Sequence, residues 1–125
     1  MSAIENEGKI IIGNGVFFNN YCSLNSLKER RIGDNSLFGE NVKIYDHNHT
    51  FKYKNKLIKS AGFKSDKILI GNNCWIGSNV IILKSVSIGD NSVISAGEIV
   101  RKSVPGNSIL KDGIITSIEY QESEK

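Results

Sequence analysis

Proline is almost missing from this chain: of 125 residues, only Pro105 is proline. Proline has no amide N–H to give to a β-ladder, so Pro105 is expected to mark the end of regular pairing. Long apolar runs are missing too. No stretch approaches the roughly 20 apolar residues that a membrane-spanning helix needs. The N-terminus, MSAIENEGKIII, lacks a basic n-region and does not read as a signal peptide, so the default location is the cytoplasm. Charge of one sign is not in excess. Sixteen Lys and Arg against thirteen Asp and Glu leave +3, too little to argue for a nucleic-acid partner. Cysteine is scarce, and Cys22 and Cys74 read as small packing residues rather than a disulfide or a metal pair. Histidine is limited to His47 and His49. A zinc site would need a third ligand, which Asp46 or Asp66 would have to supply, so no metal is expected.

What the chain does have is a beat. Residues 70–104 read IGNNCWIGSNVIILKSVSIGDNSVISAGEIVRKSV. Every sixth residue is aliphatic: Ile70, Ile76, Ile82, Ile88, Ile94 and Val100. Four positions after each comes a second set, Cys74, Val80, Val86, Ser92, Glu98 and Val104, small or apolar except for Glu98. A period of six suits neither a helix at 3.6 nor an amphipathic strand at 2. It suits a hexapeptide parallel β-helix, in which three sixes make one triangular turn. IGNN at Ile70 and IGDN at Ile88 stand eighteen residues apart, one turn on. With 39% apolar and 23% charged residues, the whole of 1–125 reads as one all-β domain of about five coils.

The beat also runs upstream, through Ile12, Phe18 and Leu24, then Ile32, Phe38 and Ile44. Leu24 to Ile32 is eight residues, which places a two-residue insertion within SLKER. Ile44 to Ile70 is twenty-six, twenty-four plus two, so the coil is broken between them. Composition locates the break at about 50–67, TFKYKNKLIKSAGFKSDK, with six Lys and no beat. Loops inserted in solenoids often carry the site. Gly and Asn at the corners supply the positive φ that tight turns need. From Gly106 to Lys125 the chain is expected to leave the prism as an extension, with Ile109, Leu110, Ile114, Ile115 and Ile118 forming a strand or short helix on a neighbouring surface. Exposed strand edges at the ends and flat apolar faces favour a homo-oligomer.

Chemistry-bearing residues cluster just before the lysine-rich loop: Tyr45, Asp46, His47, Asn48 and His49. Imidazole titrates near neutrality and is the usual general base toward a hydroxyl or amine. On a strand, His47 and His49 would face the same side.

Three stretches carry a likeness to a known family: IGDNSLFGENVKIYDHNHTF from Ile32, IGNNCWIGSNVIIL from Ile70, and IGDNSVISAGEIVRKSVPGNS from Ile88. From Ile10 to Val104 the chain resembles the left-handed hexapeptide-repeat acyltransferases, in particular the galactoside and maltose O-acetyltransferases and their polysaccharide-modifying relatives. The resemblance implies a left-handed parallel β-helix, an exception to the right-handed crossover rule. It implies acetyl-CoA as co-substrate and a homotrimer with active sites between subunits. The expected activity is O-acetylation of a sugar or glycan precursor. His49 matches the family's catalytic base, and His47 stands beside it on the acceptor side. Asn19 matches the Asn near the acceptor. Trp75 and Ser78 match the WIGS stretch that meets the cofactor, Ala96 lies one coil on along the pantetheine arm, and Arg101 with Lys102 matches the phosphate end.

The chain departs from the family after PGNS. It reads ILKDGIITSIEY where a Gly-x-Pro-Ala-like turn and basic residues are usual, and the N-terminal helical segment of the maltose-type enzymes is missing. Three other readings remain open: N-acylation of an amino sugar, a metal-dependent lyase of this fold (which would want three His), and a non-catalytic assembly or binding module.

Overall fold

The structure, a computed structural model, describes residues 9–25, 29–45, 47–49, 63–65 and 67–121. Each hexapeptide gives one short strand and one corner, and three of them close a turn. The first coil is β1 (Lys9–Ile12), β2 (Phe17–Phe18) and β3 (Ser23–Asn25); the second is β4 (Glu29–Ile32), β5 (Leu37–Phe38) and β6 (Lys43–Tyr45). After an excursion through β7 (His47–His49) and β8 (Phe63–Ser65), the third coil is β9 (Ile68–Ile70), β10 (Trp75–Ile76) and β11 (Ile81–Ile82). The fourth is β12 (Ser87–Ile88), β13 (Val93–Ile94) and β14 (Ile99–Val100). A fifth, incomplete coil holds β15 (Ser108–Lys111), which turns back as β16 (Ile114–Ser117).

The strands stack into three parallel faces: β1-β4-β9-β12, β2-β5-β10-β13-β15 and β3-β6-β11-β14. Register measures the coils directly. Coils three and four are offset by eighteen, as in Trp75↔Val93, the ideal three sixes. Coils one and two are offset by twenty (Phe17↔Leu37), which is the two-residue insertion expected before Ile32. Coils two and three are offset by thirty-eight (Leu37↔Trp75), so twenty residues are inserted there. Ile44 and Ile70 are therefore neighbouring beats, one six-residue step plus twenty inserted residues, rather than four beats and two residues. The insertion opens as an antiparallel hairpin, His49 opposite Phe63, already begun at His47. The greater part of the expected 50–67 loop lies outside the described residues.

Inward columns make the core: Ile32, Ile70, Ile88 and Val104 on the first face, Phe38, Ile76, Ile94 and Leu110 on the second, Leu24, Ile44, Ile82 and Val100 on the third, all buried. The Phe18 and Phe38 rings stack with centroids 4.6 Å apart. Cys22 and Cys74 are buried free thiols, donating to Gly39 O (3.2 Å) and Gly89 O (3.1 Å). Arg30, fully buried on β4, takes an inward position in register with Ile68.

Two corner roles that the sequence ran together are separate in the structure. Left-handed φ falls mostly to Asn: Asn35, Asn41, Asn73, Asn79, Asn91 and Asn107 lie between 56° and 62°. Their amides ladder from coil to coil, as in Asn41 Nδ2 to Asn79 Oδ1 at 2.9 Å. The Gly after the inward aliphatic serves close approach instead. A Cβ at Gly33 would sit 2.6 Å from the backbone carbon of Gly71.

The C-terminal expectation needs correction. The chain does not leave the prism at Gly106. Ile82 pairs Val100 at an offset of eighteen, but Ile88 bridges Val104 and Val93 pairs Ile109 in parallel at sixteen, so two residues are dropped between Val100 and Val104 and coiling continues past Pro105. Leu110 joins the core. Departure comes at Asp112-Gly113, whose φ values of 53° and 75° suit the tight turn that leads into antiparallel β16.

Candidate functional site

The corner between the second and third faces is a column of residues that is smallest at its centre. Asn19, Gly39, Gly77, Ser95 and Lys111 follow one another through five coils, each just past an inward side chain. In the next column stand Asn20, Glu40, Ser78, Ala96 and Asp112. The spacing is close: a Cβ on Gly39 would meet Ser78 N and Oγ at 2.6 Å, and one on Gly77 would meet Ala96 N at 2.6 Å. Small side chains let the corners stack, and the same smallness leaves a groove.

That groove has a volume of about 420 Å³ and is lined by Trp75, Ser78 and Ala96 among others. Trp75 stands outward on β10 between Leu37 and Val93, 58% exposed, and forms one wall. Ser78 Oγ accepts from the N–H of Glu40 at 3.1 Å. Ala96 stands one coil beyond, and the N–H of Gly97 donates to Ser78 O at 2.9 Å. At the first corner, Asp34, Asn72 and Asp90 each accept the backbone N–H of the coil before, at 2.7–2.8 Å. Ala96 has no side-chain oxygen to do this for Ser78, so here that ladder stops.

Asn19 lies on the same edge two coils below Ser78, its Oδ1 accepting Asn20 N–H at 2.9 Å. Arg101 and Lys102 do not enter the groove. They follow β14 and, with Glu98, Ile99, Leu110 and Ile115, line a smaller hollow of about 260 Å³ at the open end of the third face. A larger concavity, about 810 Å³, runs along the first face past Arg31, Leu69 and Ser87. It contains none of the candidate site residues named from the sequence.

The histidine strand starts from a different edge. β7 follows β6 at the far side of the third face. From Asn41 to Tyr45, four residue steps at roughly 3.3 Å span about 13 Å. β7 and β8 pair with each other and with no face of the prism. The side-chain roles expected of His47 and His49 lie outside the described residues. Within one copy, then, the backbone of the histidine strand and the Trp75 groove spring from separate edges. Among the described residues no three His, Cys, Asp or Glu side chains gather as a metal-holding group, and no helix is long and apolar enough to cross a membrane.

Sequence reasoning missed several lining residues: Gly39, Val93, Ile109 and Lys111. Counting whole coils from Gly77 would have reached Gly39 and Ser95, and Lys111 only with the two-residue deletion between Val100 and Val104. It noted that Glu98 breaks the inward pattern without saying why. The carboxylate accepts the N–H groups of Asp112 (2.8 Å) and Gly113 (3.2 Å), capping the hairpin turn.

Comparison with known proteins agrees with this architecture. A family pattern, the hexapeptide repeat of succinyl-transferase, matches residues 67–102. Galactoside O-acetyltransferase of Escherichia coli is 47% identical over 78 residues, covering 62% of this chain and 37% of that protein. A hexapeptide-repeat acetyltransferase from Vibrio cholerae, solved with acetyl coenzyme A, superposes with a TM-score of 0.81 at 26% identity, over 96% of this chain and 64% of that one. A maltose O-acetyltransferase from Clostridium difficile gives a TM-score of 0.67 at 28% identity, over 98% and 70%. The chain spans about a third to about half of the length of the curated relatives it matches. The fold is the left-handed parallel β-helix. The chain is a hexapeptide-repeat protein, similar to the galactoside and maltose O-acetyltransferases over part of their length.

Proposed function

We propose that this protein transfers an acetyl group from acetyl-CoA to a hydroxyl of a sugar or glycan precursor, as a homotrimer with its sites between subunits. The observation that carries this reading is the groove of Trp75, Ser78 and Ala96 along one prism edge. A long, thin donor suits a long, thin corner of small residues. The superposable Vibrio cholerae acetyltransferase, whose structure holds acetyl coenzyme A, supports the choice of donor.

In this reading the pantetheine arm lies along the Ser78–Ala96 edge, with exposed Arg101 and Lys102 placed for phosphates, to which cations are suited. His49 takes the proton of the acceptor hydroxyl as that oxygen attacks the thioester carbonyl. The tetrahedral oxyanion needs hydrogen-bond donors, and backbone N–H groups facing the groove can serve. Collapse breaks the C–S bond, and the proton passes from His49 to the departing thiolate. Asn19 and His47 contact the acceptor. The separation of the histidine strand from the groove within one copy supports the trimer. A neighbouring prism, set against the third face, would bring its groove to the hairpin of the next.

The test is CoA-thiol release from acetyl-CoA across a panel of sugars and nucleotide-sugars. With a working acceptor, His49→Ala is expected to lose about two orders of magnitude or more. Equal turnover in both proteins removes His49 from the chemistry. No release with any acceptor, with acetyl-CoA unbound, favours a non-catalytic module.

A further inference from the structure

Glu98 stands where the solenoid elsewhere places Val42 or Val80, buried and apolar. Its carboxylate is engaged by two backbone N–H groups from the Asp112-Gly113 turn, at 2.8 and 3.2 Å. Both turn residues have left-handed φ, 53° and 75°, as this tight turn requires, and both of their N–H groups point at the carboxylate.

The turn matters because of what precedes it. Parallel pairing of β15 to the solenoid ends at Ile94↔Leu110. Lys111 is one residue beyond that support, and β16, on its other side, is exposed along its whole length. The open end of the hairpin is tied separately: Ile118 N–H donates to Asn107 O at 2.9 Å, and Tyr120 Oη donates to Asn91 O at 3.0 Å. At the turn end the tie is Glu98. Yet Lys111, with Ile109, walls the groove that holds Trp75, Ser78 and Ala96, and it is the charged residue among those lining it.

We propose that Glu98 is a positioning residue for the donor groove: by clamping the Asp112-Gly113 turn it sets Lys111 as a cationic end wall facing a phosphate-bearing donor. The proposal rests on the acetyl-CoA reading above. It accounts for an acidic residue at an inward position and for a lysine on the groove.

Charge and positioning predict opposite signs here. By charge alone, removing a carboxylate beside an anionic ligand tightens binding. By positioning, it loosens binding. The experiment is calorimetric titration of the full chain with CoA, for wild type, Glu98→Ala, Glu98→Gln, Lys111→Ala and the Glu98→Ala/Lys111→Ala pair, with a thermal melt of each. The expected result is roughly tenfold weaker binding for Glu98→Ala and for Lys111→Ala. The pair should also be near tenfold weaker rather than hundredfold, because the two losses are the same loss. Glu98→Gln, which drops the charge but keeps one acceptor, should retain most of the affinity. Unchanged or tighter binding in Glu98→Ala, or fully additive losses in the pair, overturns the proposal and leaves the donor reading standing. Wild type that binds no CoA removes both.

Discussion

Gly77→Ala is the sharpest probe of how the corner is built. Gly77 precedes Ser78 on the groove edge, and its φ is not left-handed, so alanine meets no conformational penalty there. The obstacle is contact. The new Cβ would lie 2.6 Å from Ala96 N, 2.8 Å from Ala96 Cα and 3.0 Å from Ile94 O. All three are backbone atoms of the next coil, so no side chain can swing aside, and ordinary contact begins near 3.4 Å. The third and fourth coils must separate locally, straining the hydrogen bond from Gly77 N to Ile94 O, now 2.8 Å. Overpacking in a well-packed interior costs about 1–3 kcal/mol. With three backbone overlaps the upper half of that range applies, and for a chain of this size it lowers Tm by roughly 6–15 °C. Gly97→Ala is the control. It has open space around the added Cβ but a φ of +80°, so its cost is conformational, about 1–2 kcal/mol. Differential scanning calorimetry on both variants decides. Gly77→Ala should melt lower than Gly97→Ala and should also lose CoA affinity, because it distorts Ser78 and Ala96. A Gly77→Ala protein as stable as wild type would refute the close-approach account of the corner glycines.

Two further outcomes follow from the same geometry. Tyr21 has a φ of 65° and is 80% exposed, in the column where later coils place Asn41, Asn79 and Gly97. Tyr21→Asn should stabilise the fold by about 1 kcal/mol, seen as a rise in Tm, since asparagine tolerates that conformation better. Burial holds the Cys74 thiol above its ordinary value of 9.0, while an unfolded thiol ionises normally. The thiolate therefore favours the unfolded state, and stability that is intact below pH about 9 should fall as pH rises beyond it. Denaturant titrations should show this slope, and Cys74→Ala should flatten it.

The scaffold was legible because a solenoid repeats its physics. One six-residue beat gave the coil count, the inward columns and the two-residue insertion before Ile32. Trp75 and Ser78 stand three residues apart in one coil and Ala96 stacks one coil beyond Ser78, so the three share one edge. Tail and insertion were harder. A beat that drops two residues between Val100 and Val104, just before Pro105, looks like a beat that ends, so β15 was expected outside the prism. Asp112-Gly113, a recognisable tight-turn pair, was the better signal for the exit. The Ile44–Ile70 interval was ambiguous because a count cannot tell missing coils from inserted chain; pairing of Leu37 with Trp75 resolves it. Glu98 was visible as an exception, but its partners lie fourteen and fifteen residues away, across the hairpin turn. Nothing local in the sequence could show that the histidine strand and the groove leave from different edges.

The central claim is that a site is completed between copies, with His49 from one prism and the Trp75–Ala96 groove from the next. Mixed assembly tests it most directly. His49→Ala lacks the base, and Ala96→Trp fills the groove; each should be nearly inactive alone in acetyl-CoA thiol release. Co-refolded in equal amounts, trimers with shared sites should regain about a quarter of wild-type activity, because half the bases and half the grooves are intact and pair at random. Recovery near that value is the predicted result. A mixture as inactive as its two parents would contradict the account, since it would mean that base and groove belong to the same copy.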